Sequence, residues 1–284
     1  MKKRRLSVAQ EIALSFALVI FTGSLLLTLP ISQATTSNAT YFDNLFTSVS
    51  MVCVTGLFIE PVYKSYTTFG QIICIILMQI GGLGLMTLIA SLFMGIGKNM
   101  RFADKQAVKE ALNKADMREL KPFLINIVKY TLIIEGIGFL LLTTVFVPQF
   151  GVTRGLFNSL FVTVSAFCNA GFDNFGAISL QSYVHNPIIN FTVSSLIILG
   201  GIGFAVWFDV TKNTQSLIKS KHFSVKKLFK KLKPHTKFAL TVTAIVITSG
   251  TLIGMILEYR NMNSIGGFSL FDKFMTSYFQ TVTM

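Results

Sequence analysis

Five long apolar stretches, separated by polar ones, organise this chain. They run at about 9–30, 69–97, 123–147, 187–211 and 237–257. Each approaches the roughly 20 residues a helix needs to cross a bilayer, so the pattern predicts five membrane-spanning helices. The polar stretches between them are of two kinds. Those after the second and fourth apolar segments are basic. Those after the first, third and fifth are aromatic-rich and carry short hydrophobic runs. The first apolar stretch follows Met1-Lys2-Lys3-Arg4-Arg5. It is too long for the apolar part of a signal peptide, and no small-x-small cleavage site closes it cleanly, so it reads as a first span.

Composition agrees. Hydrophobic residues make up 52% of the 284 and charged residues only 13%. A soluble domain carries about 25% charged residues, and this deficit is the mark of a lipid solvent. The formal net charge is +13, and its placement sets the topology. Twenty of the 25 Lys and Arg residues lie at the N-terminus, in 98–122 and in 212–237. Lys/Arg excess marks the cytoplasmic side, and five spans alternate consistently with that. The N-terminus is therefore expected in the cytoplasm. Segment 212–237, with nine Lys and no acidic residue, is expected to meet anionic lipid headgroups or to dock a cytoplasmic regulator. Nothing resembles a nucleic-acid module. Three cysteines (Cys53, Cys74, Cys168) give neither a disulfide framework nor a zinc spacing.

The outward stretches repeat. Phe46-Thr47-Ser48-Val49-Ser50-Met51 matches Phe161-Val162-Thr163-Val164-Ser165-Ala166, 115 residues later. The match continues from Cys53-Val54-Thr55-Gly56-Leu57 to Cys168-Asn169-Ala170-Gly171-Phe172. Gly81-Gly82-Leu83-Gly84 then answers to Gly200-Gly201-Ile202-Gly203, at an offset of 119. Phe279-Gln280-Thr281-Val282-Thr283-Met284 begins a third copy. Each repeat predicts an outer helix, a short helix (about 42–52 and 157–167) with a re-entrant loop, and an inner helix. The divisions are 1–97, 98–211 and 212–284. Asp43 and Asn158 are expected as helix N-caps.

A re-entrant loop exposes backbone carbonyls, and a ring of carbonyls can replace the hydration shell of a potassium ion. Gly56 and Gly171 suit carbonyls aimed at a pore axis, because glycine reaches the required backbone angles cheaply. Val54, Thr55, Asn169 and Ala170 would add further carbonyls. The short helices point their C-terminal, cation-favouring ends at these loops.

Other signals carry less. The Gly-Gly-x-Gly runs lie inside apolar spans, so close helix approach explains them better than nucleotide binding. Glu135 falls within the third span and is expected to pair with another helix. Cys53 and Cys168 are expected as small core residues. Glu60 and Asp173, near the outer mouth, either concentrate cations or are solvated. A helical-bundle sensor or membrane enzyme is the alternative class. The three His are scattered, and no catalytic cluster supports it.

The pairing of Cys-Val-Thr-Gly-Leu with Asn-Ala-Gly-Phe, each after an aromatic and Val-Ser, resembles the Ktr/Trk/HKT superfamily of potassium transporters, and most closely its KtrB-type membrane subunits. The resemblance covers the whole chain. It implies an all-α integral membrane fold of tandem helix–pore-loop–helix repeats, four around one pseudo-fourfold pore, with Gly56 and Gly171 as filter glycines. It implies a cell-membrane potassium-uptake subunit that is not an enzyme and holds no cofactor. It further implies frequent sodium dependence, a homodimer, and a cytoplasmic ring of KtrA-like nucleotide-binding regulatory subunits. About two and a half repeats are present. The chain is therefore expected to be C-terminally truncated, with the family's gating loop and later repeats beyond Met284.

Overall fold

The computed structural model describes residues 8–84, 120–176, 178–220 and 224–284. The N-terminal basic cluster, the inner part of the second predicted span (85–97) and most of the first basic segment (98–119) lie outside the described residues. The chain divides into two compact units, Met1–Ser179 and Leu180–Met284. The described residues are helical, with no strand; one isolated bridge joins Gln33 and Tyr66.

The first unit contains α1 (Val8–Thr28), α2 (Tyr41–Cys53), the single turn α3 (Val62–Ser65), α4 (Thr68–Leu83), α5 (Leu120–Phe150) and α6 (Val152–Phe167). α1 packs on α2 and α4, α2 packs on α4, and α5 and α6 form a tight helical hairpin that meets α4 through α6. α5 has 31 residues, about 46 Å at 1.5 Å per residue, more than a ~30 Å hydrocarbon core. It ends where Pro148 enters its last turn and Gly151 turns the chain at φ +78°.

The short helices obey different start signals from those expected. In α2 the cap is Thr40, not Asp43. Asp43 N–H donates to Thr40 Oγ1 at 3.4 Å, and Thr40 N–H donates to Asp43 Oδ2 at 2.7 Å. Asp43 is thus the return half of a capping box. α6 begins at Val152 rather than near 157, and Gly151 occupies its N-cap. Asn158 lies mid-helix and buried, so it is no cap.

α4 explains the double glycine. A Cβ on Gly81 would stand 2.5 Å from the Val52 carbonyl oxygen, and one on Gly82 would stand 2.4 Å from Cys168 Cβ. Successive residues of one helix therefore press backbone against the ends of α2 and of α6. The third glycine of each run does something else: Gly84 ends α4 at φ +77°, and Gly203 precedes the next helix at φ +90°.

The second unit contains α7 (Pro187–Gly201), α8 (Phe204–Lys219), α9 (Val225–Lys231), α10 (Pro234–Glu258) and α11 (Leu270–Thr283). The continuous helix expected over 187–211 is broken here. α7 and α8 meet at a 99° bend at Ile202–Gly203. A left-handed glycine allows the turn, and Trp207 Nε1–H donates to the Leu199 carbonyl, freed by the break, at 2.9 Å. α8 is polar where a span would not be. Its buried Asp209 accepts the backbone N–H of Lys233 at 2.8 Å, and Lys233 is the N-cap of α10, so a carboxylate sits at a positive helix end. By length and composition, 123–150 and Pro234–Glu258 can cross a membrane, with the bent pair as a third candidate. Ile12–Thr28 and Thr68–Leu83 are shorter apolar helices. α10 exposes Phe238, Ile245, Val246, Ile253, Ile256 and Leu257, as a helix in an apolar surround does.

The contact at Gly82 makes a testable contrast. Gly82→Val should lower thermal stability by about 1–3 kcal/mol, the range for overpacking a filled contact. Gly136→Ala, where an added Cβ meets nothing within 4 Å, should be neutral or stabilising by up to about 1 kcal/mol. Melting of the detergent-solubilised variants by size-exclusion chromatography reads both. Equal melting temperatures would refute the close approach of α4.

Candidate functional site

Two loops, one after α2 and one after α6, share a backbone. Val54 and Asn169 both lie in the left-handed region, at φ 58° and 56°, and Gly56 and Gly171 follow at φ 72° and 73°. Asn tolerates the left-handed region, whereas a β-branched residue there is a genuine outlier. Strain of this kind persists only where surrounding structure over-determines it, and here the surroundings can be named.

The main constraint is one serine in the last turn of the helix before each loop. Thr55 N–H donates to the Ser50 carbonyl at 2.9 Å, and Ala170 N–H donates to the Ser165 carbonyl at 2.8 Å. The serine hydroxyls then close the loops. Leu57 N–H donates to Ser50 Oγ at 2.9 Å, and Phe172 N–H donates to Ser165 Oγ at 2.8 Å. In the first loop Thr55 Oγ1–H also donates to Ser50 Oγ at 2.8 Å. Each serine thus holds the residues on both sides of its glycine.

The helices that deliver the loops are themselves tied down. Asn44, fully buried on α2, accepts Tyr66 O–H at 2.8 Å and Gln33 Nε2–H at 3.0 Å on Oδ1, and donates from Nδ2 to the Thr40 carbonyl at 3.0 Å. Burial pushes the Tyr66 phenol well above its ordinary pKa, so this donor stays protonated. Ser48 Oγ–H donates to the Ile20 carbonyl at 2.8 Å, fixing α2 on α1.

Of the six sequence-chosen residues, Gly56, Ala170 and Gly171 are brought together across the two loops. A Cβ on Gly56 would lie 3.1 Å from the Ala170 carbonyl oxygen, and one on Gly171 would lie 3.3 Å from Gly56 Cα. The two loops therefore meet glycine to glycine. Val54, Thr55 and Gly56 are exposed or half-buried, as are Asn169 and Gly171, while Ala170 is buried. Phe58 and Phe172 pack together beside them, tilted at 45° with ring centroids 6.1 Å apart.

Other expectations fare unevenly. All three cysteines are free thiols. Cys168 is buried, as a core residue should be, but Cys53 is exposed. Glu60 is ion-paired with Lys64 at 3.3 Å, and Asp173 Oδ1 accepts Phe175 N–H at 3.4 Å. Ser50 and Ser165 stood in the repeat without an assigned role. Their conserved spacing to the glycine within the two copies was the signal that could have found them. In the second unit α11 opens with Ser269 and Asp272 paired as Thr40 and Asp43 are, although the aligned motif lies further along that helix.

Comparison with known proteins places this geometry. The chain is 39% identical over 279 residues to the Ktr system potassium uptake protein B of Bacillus subtilis, covering 98% of this chain and 59% of that protein. It is 37% identical to the potassium/sodium uptake protein NtpJ of Enterococcus hirae, covering 100% of this chain and 60% of the relative. It is 36% identical to the Ktr system potassium uptake protein B of Vibrio alginolyticus, covering 96% and 57% respectively. These relatives are named as uptake proteins, not enzymes, and the chain spans about three-fifths of their length. The family model for TrkH cation transport proteins matches residues 7–284, and the chain belongs to that family.

Proposed function

We propose that this chain forms part of the pore of a potassium uptake system in the cell membrane. Potassium passes by exchanging water for the backbone carbonyls of Val54, Thr55, Gly56, Asn169, Ala170 and Gly171. The observation that carries this reading is the meeting of two loops of equal backbone through their glycines. Left-handed residues at alternate positions turn successive peptides, and only a residue without Cβ lets the loops come so near. The names of the relatives supply the ion.

In this reading the chain contributes helix–pore-loop–helix repeats, with the N-terminus and both basic segments in the cytoplasm. The carbonyls act as the transported ion's replacement hydration shell, and selectivity depends on their number and placement. The serine clamps hold that placement without contacting the ion. Sodium serves as an activating ion, an assignment supported by the potassium/sodium name of one relative. The word system in two of the relatives' names supports partner subunits, which in this reading are nucleotide-binding KtrA-like subunits at the cytoplasmic face of a homodimer of the membrane subunit. The exposed Lys226, Lys227, Lys230 and Lys231 of α9 suit anionic headgroups.

Three measurements test this reading. Gly171→Ser and Gly56→Ser each force a Cβ into a left-handed position at a cost of about 1–2 kcal/mol. Apparent affinity for potassium should fall about 5–30-fold, and the potassium-to-sodium uptake ratio should fall with it, in uptake-deficient bacteria expressing the protein. Unchanged affinity and ratio in both variants would remove the filter assignment. Ser165→Ala leaves the Phe172 N–H without its acceptor, at about 1–3 kcal/mol for a buried donor. It should lower potassium uptake while the protein still reaches the membrane, and wild-type uptake would show that the clamp is idle. For topology, single cysteines at Ser182 and Ser220, both exposed, in an otherwise cysteine-free chain should differ. An impermeant thiol reagent on intact cells should label position 182 only, and labelling at 220 would invert the orientation.

A further inference from the structure

The second unit carries a groove that the pore reading does not use. It runs along one face of α10, from Leu240 past Ala244 and Ile245 to Leu252, and Phe229 of α9 bounds it at one end. Its volume is about 650 Å³ and its lining is almost wholly apolar. Ser249 also lines it, but turns its hydroxyl back into its own helix and donates to the Ile245 carbonyl at 2.7 Å. From Leu240 to Leu252 the helix rises about 18 Å at 1.5 Å per residue. That is close to one leaflet of a ~30 Å hydrocarbon core.

The Phe229 end of the groove is cationic. Lys237 lies one turn before Thr241 on the same face of α10, with Nζ 5.9 Å from the centroid of the Phe229 ring. The same ammonium donates to the Lys230 carbonyl at 3.0 Å. It thus ties the C-terminal end of α9 to the first turn of α10 and keeps two further protons for another acceptor. Lys226 and Lys230 stand within about 100° of Phe229 around the axis of α9, whereas Lys227 and Lys231 fall on the far side. No carboxylate answers these charges among the described residues. Segment 212–237 has no acidic residue, and the ion pairs of the described residues are Lys64–Glu60 and His185–Asp272. Asp209 is engaged by the Lys233 N–H at 2.8 Å and by Asn213 Nδ2–H at 3.0 Å.

We propose that this groove binds one anionic phospholipid, with an acyl chain along Leu240–Leu252 and the phosphate on Lys237, Lys226 and Lys230. The inference rests on α10 crossing the membrane with its start at the cytoplasmic face. Both halves of the site point to the same ligand. An apolar trough on the side of a span fits a hydrocarbon chain, and an acidic peptide would leave it empty. Basic residues just cytoplasmic of a span attract anionic headgroups, and a zwitterionic headgroup brings a cation of its own. The hydrogen bond from Lys237 to α9 holds charge and trough together as one site.

The full chain, purified in a neutral detergent, is titrated with phosphatidylglycerol or phosphatidylcholine. Native mass spectrometry counts the bound lipid, and melting temperature is read on each variant. One phosphatidylglycerol per chain should be held at least tenfold more tightly than phosphatidylcholine. Lys226→Gln combined with Lys237→Gln should weaken it at least tenfold. Lys227→Gln combined with Lys231→Gln removes the same charge from the far side and should weaken it less than threefold. Ala244→Trp fills the trough and should also weaken binding at least tenfold, at the melting temperature of the wild type. Should Ala244→Trp not fold, Thr248→Phe, at another residue lining the groove, decides in its place. Equal losses in the two lysine pairs would mean a diffuse charged surface and overturn the site. Binding that survives the filled trough overturns it too, as does equal retention of the two lipids. A dimer without lipid that Ala244→Trp splits into monomers would give the groove to a second copy and overturn the proposal. Thiol labelling at position 220 on intact cells overturns the orientation and this inference together, whereas labelling at 182 only, with no lipid retained, overturns this inference alone.

Discussion

The first unit depends on one close approach: the glycine backbone of α4 lies directly against the ends of two other helices, with no side chain of its own between. Gly81 meets the Val52 carbonyl and Gly82 meets Cys168. Association of helices in lipid lacks the hydrophobic drive available in water and relies on close packing and polar contacts. Two adjacent glycines serve both needs. They bring a helix within reach of two loop ends at once, and so fix the loops relative to each other rather than each to its own repeat.

Once that contact is made, the polar atoms around the loops must find partners inside the protein, since lipid offers none. Ser50 and Ser165 take up the amides beyond the glycines, and Asn44 gathers Tyr66, Gln33 and its own helix start. The serine bonds are short and repeated 115 residues apart. Where the repetition fails, it does so for local reasons: Thr40 caps α2 through Asp43, whereas α6 starts from a left-handed glycine after Pro148 has entered the end of α5.

Much of this was legible. The apolar segments and the internal repeat located the helices and singled out the two loops whose glycines, Gly56 and Gly171, the structure brings together. The serine hydroxyls were missed because a Ser in a helix is ordinarily unremarkable; only its distance to the next glycine, constant in both copies, speaks. The bend at Gly203 was missed because hydropathy averages over a window and does not see a single φ. The left-handed Val54 had no signal at all, since Val is among the last residues expected there. Asn158 misled because its residue type suits a cap while its position lies a turn and a half inside the helix.

The difference between Val54 and Asn169 has a consequence for how each loop keeps its shape. Asn rests in the left-handed region with little penalty, so the second loop is near its own preferred shape. Val54 at φ 58° gains free energy by swinging back to the extended region, and the first loop is in effect a loaded spring. Its latch is Ser50, which alone accepts both Leu57 N–H and Thr55 Oγ1–H. Loss of the Ser50 hydroxyl would release strain that the second loop, with Asn169 at φ 56°, does not store, so the pair is one wall at rest and one held under tension.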